Sequence, residues 1–362
     1  MQGSLHIAVV GLGFGSAFVP IYKDHPLVGK VILCDADPEA LRVGNQRFGL
    51  DGGYASLDEV LRDETIDAVH LLTPLPLHAE QTQQVLSAGK HCACAVTMGL
   101  NLEEVGNVHH AARRSGLRYM MMETGAYTKE YFFARDMRDA GQFGTINFAR
   151  GDYYQDLEAP YPAYWRSVPP MKYATHCLGP ILSLLETRAT SVSCVGAGTM
   201  RQDLLEDPSN PFPMQVAHFR VANSDAIVQI NRAWYQAAHA YVESFTIIGE
   251  HQSFEWSQLD TEDPVVHTLG RVQTGIRWRD VSAQRHPTPP RPDLLPTELA
   301  AYADGGHGGS HPHLVHEFVS SIVEHRPSAV NESVAANWTA AGICAHESSL
   351  LGGEWVMIPQ YG

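Results

Sequence analysis

The sequence predicts an α/β protein: an N-terminal doubly wound parallel sheet, then an α+β domain built on a mostly antiparallel sheet. Three observations lead there. Short apolar runs alternate with helical stretches of about ten residues as far as residue 123, the pattern of a parallel sheet with helices on both faces. A glycine-rich turn, Gly11-Leu12-Gly13-Phe14-Gly15, follows the first run directly. Between residues 190 and 256 the segments alternate and are parted by turn residues, as antiparallel strands require.

The first run, LHIAVV at 5–10, is apolar throughout, as a strand covered on both faces must be. After the glycine turn a helix runs toward Asp24, and KVILCD at 30–35 is the second strand. Pro38 after Asp37 suits a helix start, and that helix reaches Phe48. Ser56 caps a short helix within 54–60. DAVHLLT at 67–73, HCACAV at 91–96 and LRYMMME at 117–123 complete the sheet. The intervening helices, 78–88 and 101–115, end at Gly89 and Gly116, residues suited to a helix C-terminus. Residues 1–123 are the first predicted domain and 124–362 the second. In the second, 128–140 is helical, 145–154 a strand and 172–186 a helix. VSCVGAG, MQVAHFRV, AIVQINRAWY, YVESFTIIG and SFEW supply further strands. Residues 279–309, rich in Pro, Gly and Asp, read as a long loop. Helices at 311–325 and 331–350 precede a short strand at 354–358.

A chain of 362 residues, at roughly 150 residues per domain, suits two domains. With 44% hydrophobic and 18% charged residues it can bury a large core. The net charge of −15 lacks the basic footprint of a nucleic-acid binder and opposes docking on anionic membranes. No apolar run approaches a membrane span. The N-terminus, MQGSLHIAVVGLGFG, has no basic leader region. Several of the six cysteines lie in apolar segments and read as reduced thiols. A cytoplasmic protein is expected. Cys92 and Cys94 have no second cysteine pair to complete a metal site, and no metal is expected.

Small residues at Gly11, Gly13 and Gly15 let the backbone approach a pyrophosphate at the start of a helix; Ser16 takes the place of a further glycine. Asp35, at the end of the second strand, suits the adenosine ribose hydroxyls. Ala36 follows it, with no Arg or Lys alongside, which favours NAD over NADP.

Thr73-Pro74 at a strand end, His78 at the next helix start and Ala88-Gly89-Lys90-His91 resemble the Gfo/Idh/MocA oxidoreductases, a likeness that extends over nearly the whole chain. The resemblance implies an N-terminal Rossmann domain binding NAD(P). It also implies action on sugars or inositols in a cleft against a C-terminal sheet domain, and a homo-oligomer (dimer or tetramer) pairing through that sheet. It places Thr73, Pro74, His78 and Phe14 of the glycine turn at the cofactor. Where the family carries Glu-Lys-Pro, this chain reads Ala95-Val96-Thr97. The family lysine binds the hydroxyl being oxidised, and Val96 cannot.

The segment from Met171 to Pro180 resembles the family helix with an Asp and, four residues on, a catalytic His. His176 fits the His, and Lys172 stands at the Asp position. Residues i and i+4 share a helix face, so Lys172 and His176 are expected to act together: His176 as base, Lys172 stabilising an alkoxide. Thr175-His176-x-Leu-Gly-Pro and Gly306-His307-Gly308-Gly309 also resemble the NAD-dependent glycoside hydrolases of this superfamily. The chemistry implied is oxidation of a ring hydroxyl, at C3, as part of a redox-neutral glycoside cleavage. Tyr127 is a candidate base for the C–H proton. Tyr153, Trp165, Arg166, His307 and His311 are candidate substrate contacts, since aromatic faces stack on sugar rings and Arg takes an anionic group. Arg166 and Lys172 together suit an anionic sugar such as a sulfoquinovoside. Two other readings stay open: a plain sugar or inositol dehydrogenase releasing NADH, and a non-catalytic NAD-binding regulator that has lost the Glu-Lys-Pro motif.

Overall fold

The computed structural model describes residues 4–158, 161–259, 261–271 and 279–362; Ala159 and Pro160 lie outside them. Contacts divide the chain into two compact units, residues 1–128 with 290–339 and 361–362, and residues 129–289 with 340–360.

The first unit carries a five-stranded sheet of β1 (Leu5–Val10), β2 (Val28–Cys34), β3 (Ala68–Leu71), β4 (His91–Cys94) and β5 (Tyr119–Met121), in the order β2-β1-β3-β4-β5. Every pair is parallel. Ile7 to Val10 are fully or almost fully buried, as the uniform apolarity of the run requires. The strand ends lie in register, Val10 against Cys34 and Leu71, Leu71 against Cys94 and Cys94 against Met121. The loops that begin with Gly11, Asp35, Leu72 and Ala95 therefore leave the sheet along one edge. The strand order reverses beside β1, and ligands of such sheets sit outside the carboxyl ends of the strands at that point.

Helix starts follow their caps. Asp37 accepts the Glu39 N–H, and Ser56 with Glu59 forms a reciprocal capping box. Residues 290–339 group with this unit rather than, as expected, with the second. The Met121 N–H of β5 donates to Val330 O at 3.0 Å, and Ser328 Oγ donates to Tyr119 O at 2.8 Å. The returning chain thus docks on the last strand, and the helix Ser310–Val323 buries Leu314, Val315, Phe318 and Val319 completely.

Among the described residues the second unit holds nine strands: β6 (Ile146–Tyr154), β7 (Ala189–Ala197), β8 (Met214–Val221), β9 (Ile227–Ala233), β10 (Val242–Gly249), β11 (Gln252–Glu255), β12 (Val265–Leu269), β13 (Val281–Arg285) and β14 (Val356–Met357). Their order is β13-β12-β11-β10-β6-β9-β8-β7-β14, antiparallel except where β6 pairs with β9. β13 falls inside the predicted 279–309 loop. All five of its residues are exposed, so it carries no apolar alternation to read. The helix Thr175–Leu184 crosses β6 at Gly151, where an added Cβ would come within 2.8 Å of Cys177 O. The predicted helix 172–186 is shorter. Pro169 and Pro170 open a 3-10 turn, Pro170–Tyr173, and the α-helix begins only at Thr175.

Strand register sets one row of side chains on the face under that helix. Glu243 pairs with Tyr153, Tyr153 with Arg232 and Arg232 with Gln215.

Candidate active site

In the first unit the glycines of the turn divide their work. Gly11 has φ 93°, and a Cβ there would sit 2.6 Å from Leu72 O. A Cβ on Gly15 would press on Val9 and Leu72 at 3.1 and 3.2 Å, whereas Gly13 faces open space with nothing within 4 Å. That is the division a dinucleotide turn needs: a tight bend, room for a phosphate, and close helix–strand contact. Asp35 Oδ2 accepts the Leu12 N–H at 2.7 Å and Oδ1 the Asp37 N–H at 2.9 Å, which fixes the half-buried carboxylate beside the turn. These residues fit a dinucleotide whose ribose lies on Asp35.

Thr73 and Pro74 follow β3, and Thr73 Oγ1 donates to Gln81. The His78 ring bridges two loops, with Nδ1 3.0 Å from Thr97 O and Nε2 2.9 Å from Thr73 O. Burial opposes its charge, but Cys94 and the two carbonyls outweigh burial and push His78 up to about 9. Lys90 is a structural cation: it is buried and donates to Asp63 O and Ile66 O at 2.7 and 2.8 Å. Val96 is buried.

Phe14, exposed in the glycine turn, meets His307, His311 and Phe18 edge-on, each at 5.4 Å between ring centroids. His311 stacks on Phe18 at 4.3 Å, and its Nε2 lies 3.2 Å from His307 Nδ1. Burial, helped by His307, pushes His311 down to about 3, so it is neutral. The Gly306–Gly309 motif thus rests on the dinucleotide turn. Tyr127 ends a 3-10 turn after β5, and Glu123 caps that turn by accepting the Gly125 N–H at 3.0 Å. Both are buried.

In the second unit His176 lies in the first turn of Thr175–Leu184. Tyr153 stacks on it at 5.4 Å with rings 16° apart, and Tyr173 meets it edge-on at 5.0 Å. Its Nδ1 is 3.6 Å from Glu243 Oε1, and the Tyr241 hydroxyl donates to Glu243 Oε2 at 2.9 Å. Lys172 belongs to the preceding 3-10 turn, so the shared helical face expected for Lys172 and His176 is not formed. The charge of Lys172 is felt by Asp207, held below the usual carboxylate range by Ser209 and then Lys172, and by His346. Burial first, then Lys172, pushes His346 down to about 4. Trp165 meets Tyr173 and Trp234 edge-on at 5.2 and 5.3 Å, and Arg166 pairs with Glu206 at 2.9 Å. The reading from residue types missed Glu243 and Arg232. Each is a charge on a strand face that is otherwise apolar, beside Phe245 and Ile247 on β10 and beside Val228 and Ile230 on β9, a pattern that gains meaning only once the strands are in register.

Fold and site together define a Rossmann-type dinucleotide-binding unit joined to an α+β unit that carries a buried His–Glu pair. Residues 5–123 match the family described as "Oxidoreductase family, NAD-binding Rossmann fold", that of the Gfo/Idh/MocA oxidoreductases, and in this segment the chain is similar to them. A glycosyl hydrolase family 109 protein of Porphyromonas gingivalis is 28% identical over 201 residues, 51% of this chain and 43% of that protein. Another, of Streptomyces niveus, is 22% identical over 404 residues, 99% of this chain and 78% of that protein. Against three of the curated relatives the chain spans only 39%, 42% and 43% of their length. A levoglucosan dehydrogenase, solved with NADH and levoglucosan, shares the fold with a TM-score of 0.81 at 22% identity, covering 99% of this chain and 100% of the other. Among the described residues no helix is long and apolar enough to cross a membrane.

Proposed function

We infer that this chain is an NAD-dependent oxidoreductase that oxidises a ring hydroxyl of a glycoside, at C3, and uses the oxidation to cleave the glycosidic bond without net redox change. The observation that carries the reading is the buried pair of His176 and Glu243 in a chain whose other unit holds a dinucleotide turn. The names of the relatives in glycosyl hydrolase family 109 support the cleavage step.

His176 accepts the proton of the hydroxyl as it becomes a ketone, and Glu243 holds the imidazole in place. NAD, when bound, supplies acceptance and later return of the hydride. The ketone acidifies the neighbouring C–H. Tyr127 or His307 removes that proton, the bond from C1 to the aglycone oxygen breaks, and water then adds at C1; His311, pushed down to about 3, is too weak a base for this step. The substrate we favour carries an anionic group, as a sulfoquinovoside does. The protein acts as a homo-oligomer in the cytoplasm.

The test follows aglycone release and NADH absorbance in one cuvette. Substoichiometric NAD should support many turnovers, and solvent deuterium should appear at C2 of the sugar. The likeness to a levoglucosan dehydrogenase favours a second reading, a plain sugar dehydrogenase. NADH accumulating one-for-one with substrate, with no aglycone released, would establish it.

A further inference from the structure

Arg232 is fully buried, yet its guanidinium makes one hydrogen bond, from Nε to Pro170 O at 3.2 Å. Nη1 and Nη2 meet no acceptor among the described residues. Aromatic rings surround the group, with Cζ 3.9 Å from the centroid of Tyr153, 4.9 Å from Trp234 and 5.5 Å from Tyr173. The indole Nε1 of Trp234, also fully buried, lacks an acceptor as well. Cation–π attraction offsets part of the cost of burying such a cation, but unmade hydrogen bonds to a buried charged donor remain expensive.

The chemistry of the unmet partner follows from what is missing. The unsatisfied atoms of Arg232 and Trp234 are all donors, and the strongest is a planar fork that matches an oxyanion in bidentate fashion. A hydroxyl or a neutral amide would bring donors of its own. The cations first considered for an anionic sugar are engaged elsewhere, Arg166 with Glu206 and Lys172 beside Asp207. The cover over Trp234 is thin: Trp165, half-exposed, on the short turn Ala163–Ser167, in which no residue is buried.

We propose that Arg232 and the Trp234 indole N–H bind the oxyanion substituent, a carboxylate or sulfonate, of a sugar ligand that displaces Trp165. This rests on the reading of the protein as sugar-active, and it does not require NAD to be bound.

Tryptophan fluorescence and calorimetry on the full chain test it, with glucuronate, 6-sulfo-6-deoxyglucose, glucose and inorganic sulfate as probes. One of the two anionic sugars should bind saturably and at least tenfold more tightly than glucose. Arg232→Lys keeps the charge but loses the fork, and Trp234→Phe keeps the ring but loses the donor. Each should weaken the anionic sugar by about tenfold while leaving the circular dichroism spectrum unchanged. Equal binding of anionic sugars and glucose, or undiminished binding in both variants, overturns the proposal. Inorganic sulfate binding as tightly as the sugars overturns the sugar subsite in favour of a free-anion site. A parallel NAD titration separates the failures. Normal NAD binding without preference for anionic sugars sinks this proposal alone. Absent NAD binding sinks the oxidoreductase reading and leaves this one standing.

Discussion

His176 Nδ1 lies 3.6 Å from Glu243 Oε1, and both residues are buried. The carboxylate lies on the Nδ1 side of the ring, the side from which an acid can orient a histidine base.

His176→Ala should lower turnover by about 10²-fold or more, and Glu243→Gln by a smaller factor. Because residues acting as a unit are not additive, the double variant should be no slower than His176→Ala alone. Steady-state rates of the three variants decide this. Multiplying effects would show that the two act separately.

His78 predicts a pH dependence of stability. Only an imidazolium can donate to Thr73 O and Thr97 O at once. Its folded value of about 9 exceeds the ordinary 6.5. The stabilisation is therefore fully present below pH 6.5 and is lost as pH rises through 9. Denaturant midpoints measured from pH 6 to 9.5 should fall over that window, and His78→Gln should flatten the fall.

NAD should bind better than NADP, because the Asp35 carboxylate, fixed on the Leu12 and Asp37 N–H groups, would repel a 2′-phosphate. Titration of both cofactors against protein fluorescence checks this, and equal affinity would remove the argument. Asp35→Ala should narrow the preference.

Gly306→Ala should loosen the cofactor. Gly306 has φ +60°, and its new Cβ would come 2.1 Å from His311 Nδ1, driving the ring off Phe14 and Phe18. Loss of such aromatic contacts at the dinucleotide turn should speed nucleotide release by roughly tenfold. Nucleotide retained after desalting measures this, with Phe14→Ala expected to act in the same direction.

The Rossmann sheet was legible because its strands are apolar on both faces and its turn residues, Gly11 to Gly15 and Asp35, have their reasons in local geometry. The helix that carries His176 was legible through the motif around it. Lys172 was misplaced because periodicity cannot tell a 3-10 turn opened by Pro169 and Pro170 from the first turn of the α-helix that follows. Glu243 and Arg232 were not legible, since their significance arises only when β10, β6 and β9 come into register. His307 and His311 were read as substrate contacts, but their neighbour Phe14 lies nearly three hundred residues earlier in the chain.

The row from Glu243 through Tyr153 and Arg232 to Gln215 also bears on how the chain folds. Slipping one strand by one residue sends its side chains to the opposite face of the sheet. A slipped β6 would turn Tyr153 to the other face, taking away the ring on which the buried Arg232 guanidinium packs and the ring stacked on His176. Misaligned sheets are thereby penalised by a buried cation, and the strand pairing that survives this proofreading is the one that sets Tyr153 between Arg232 and His176.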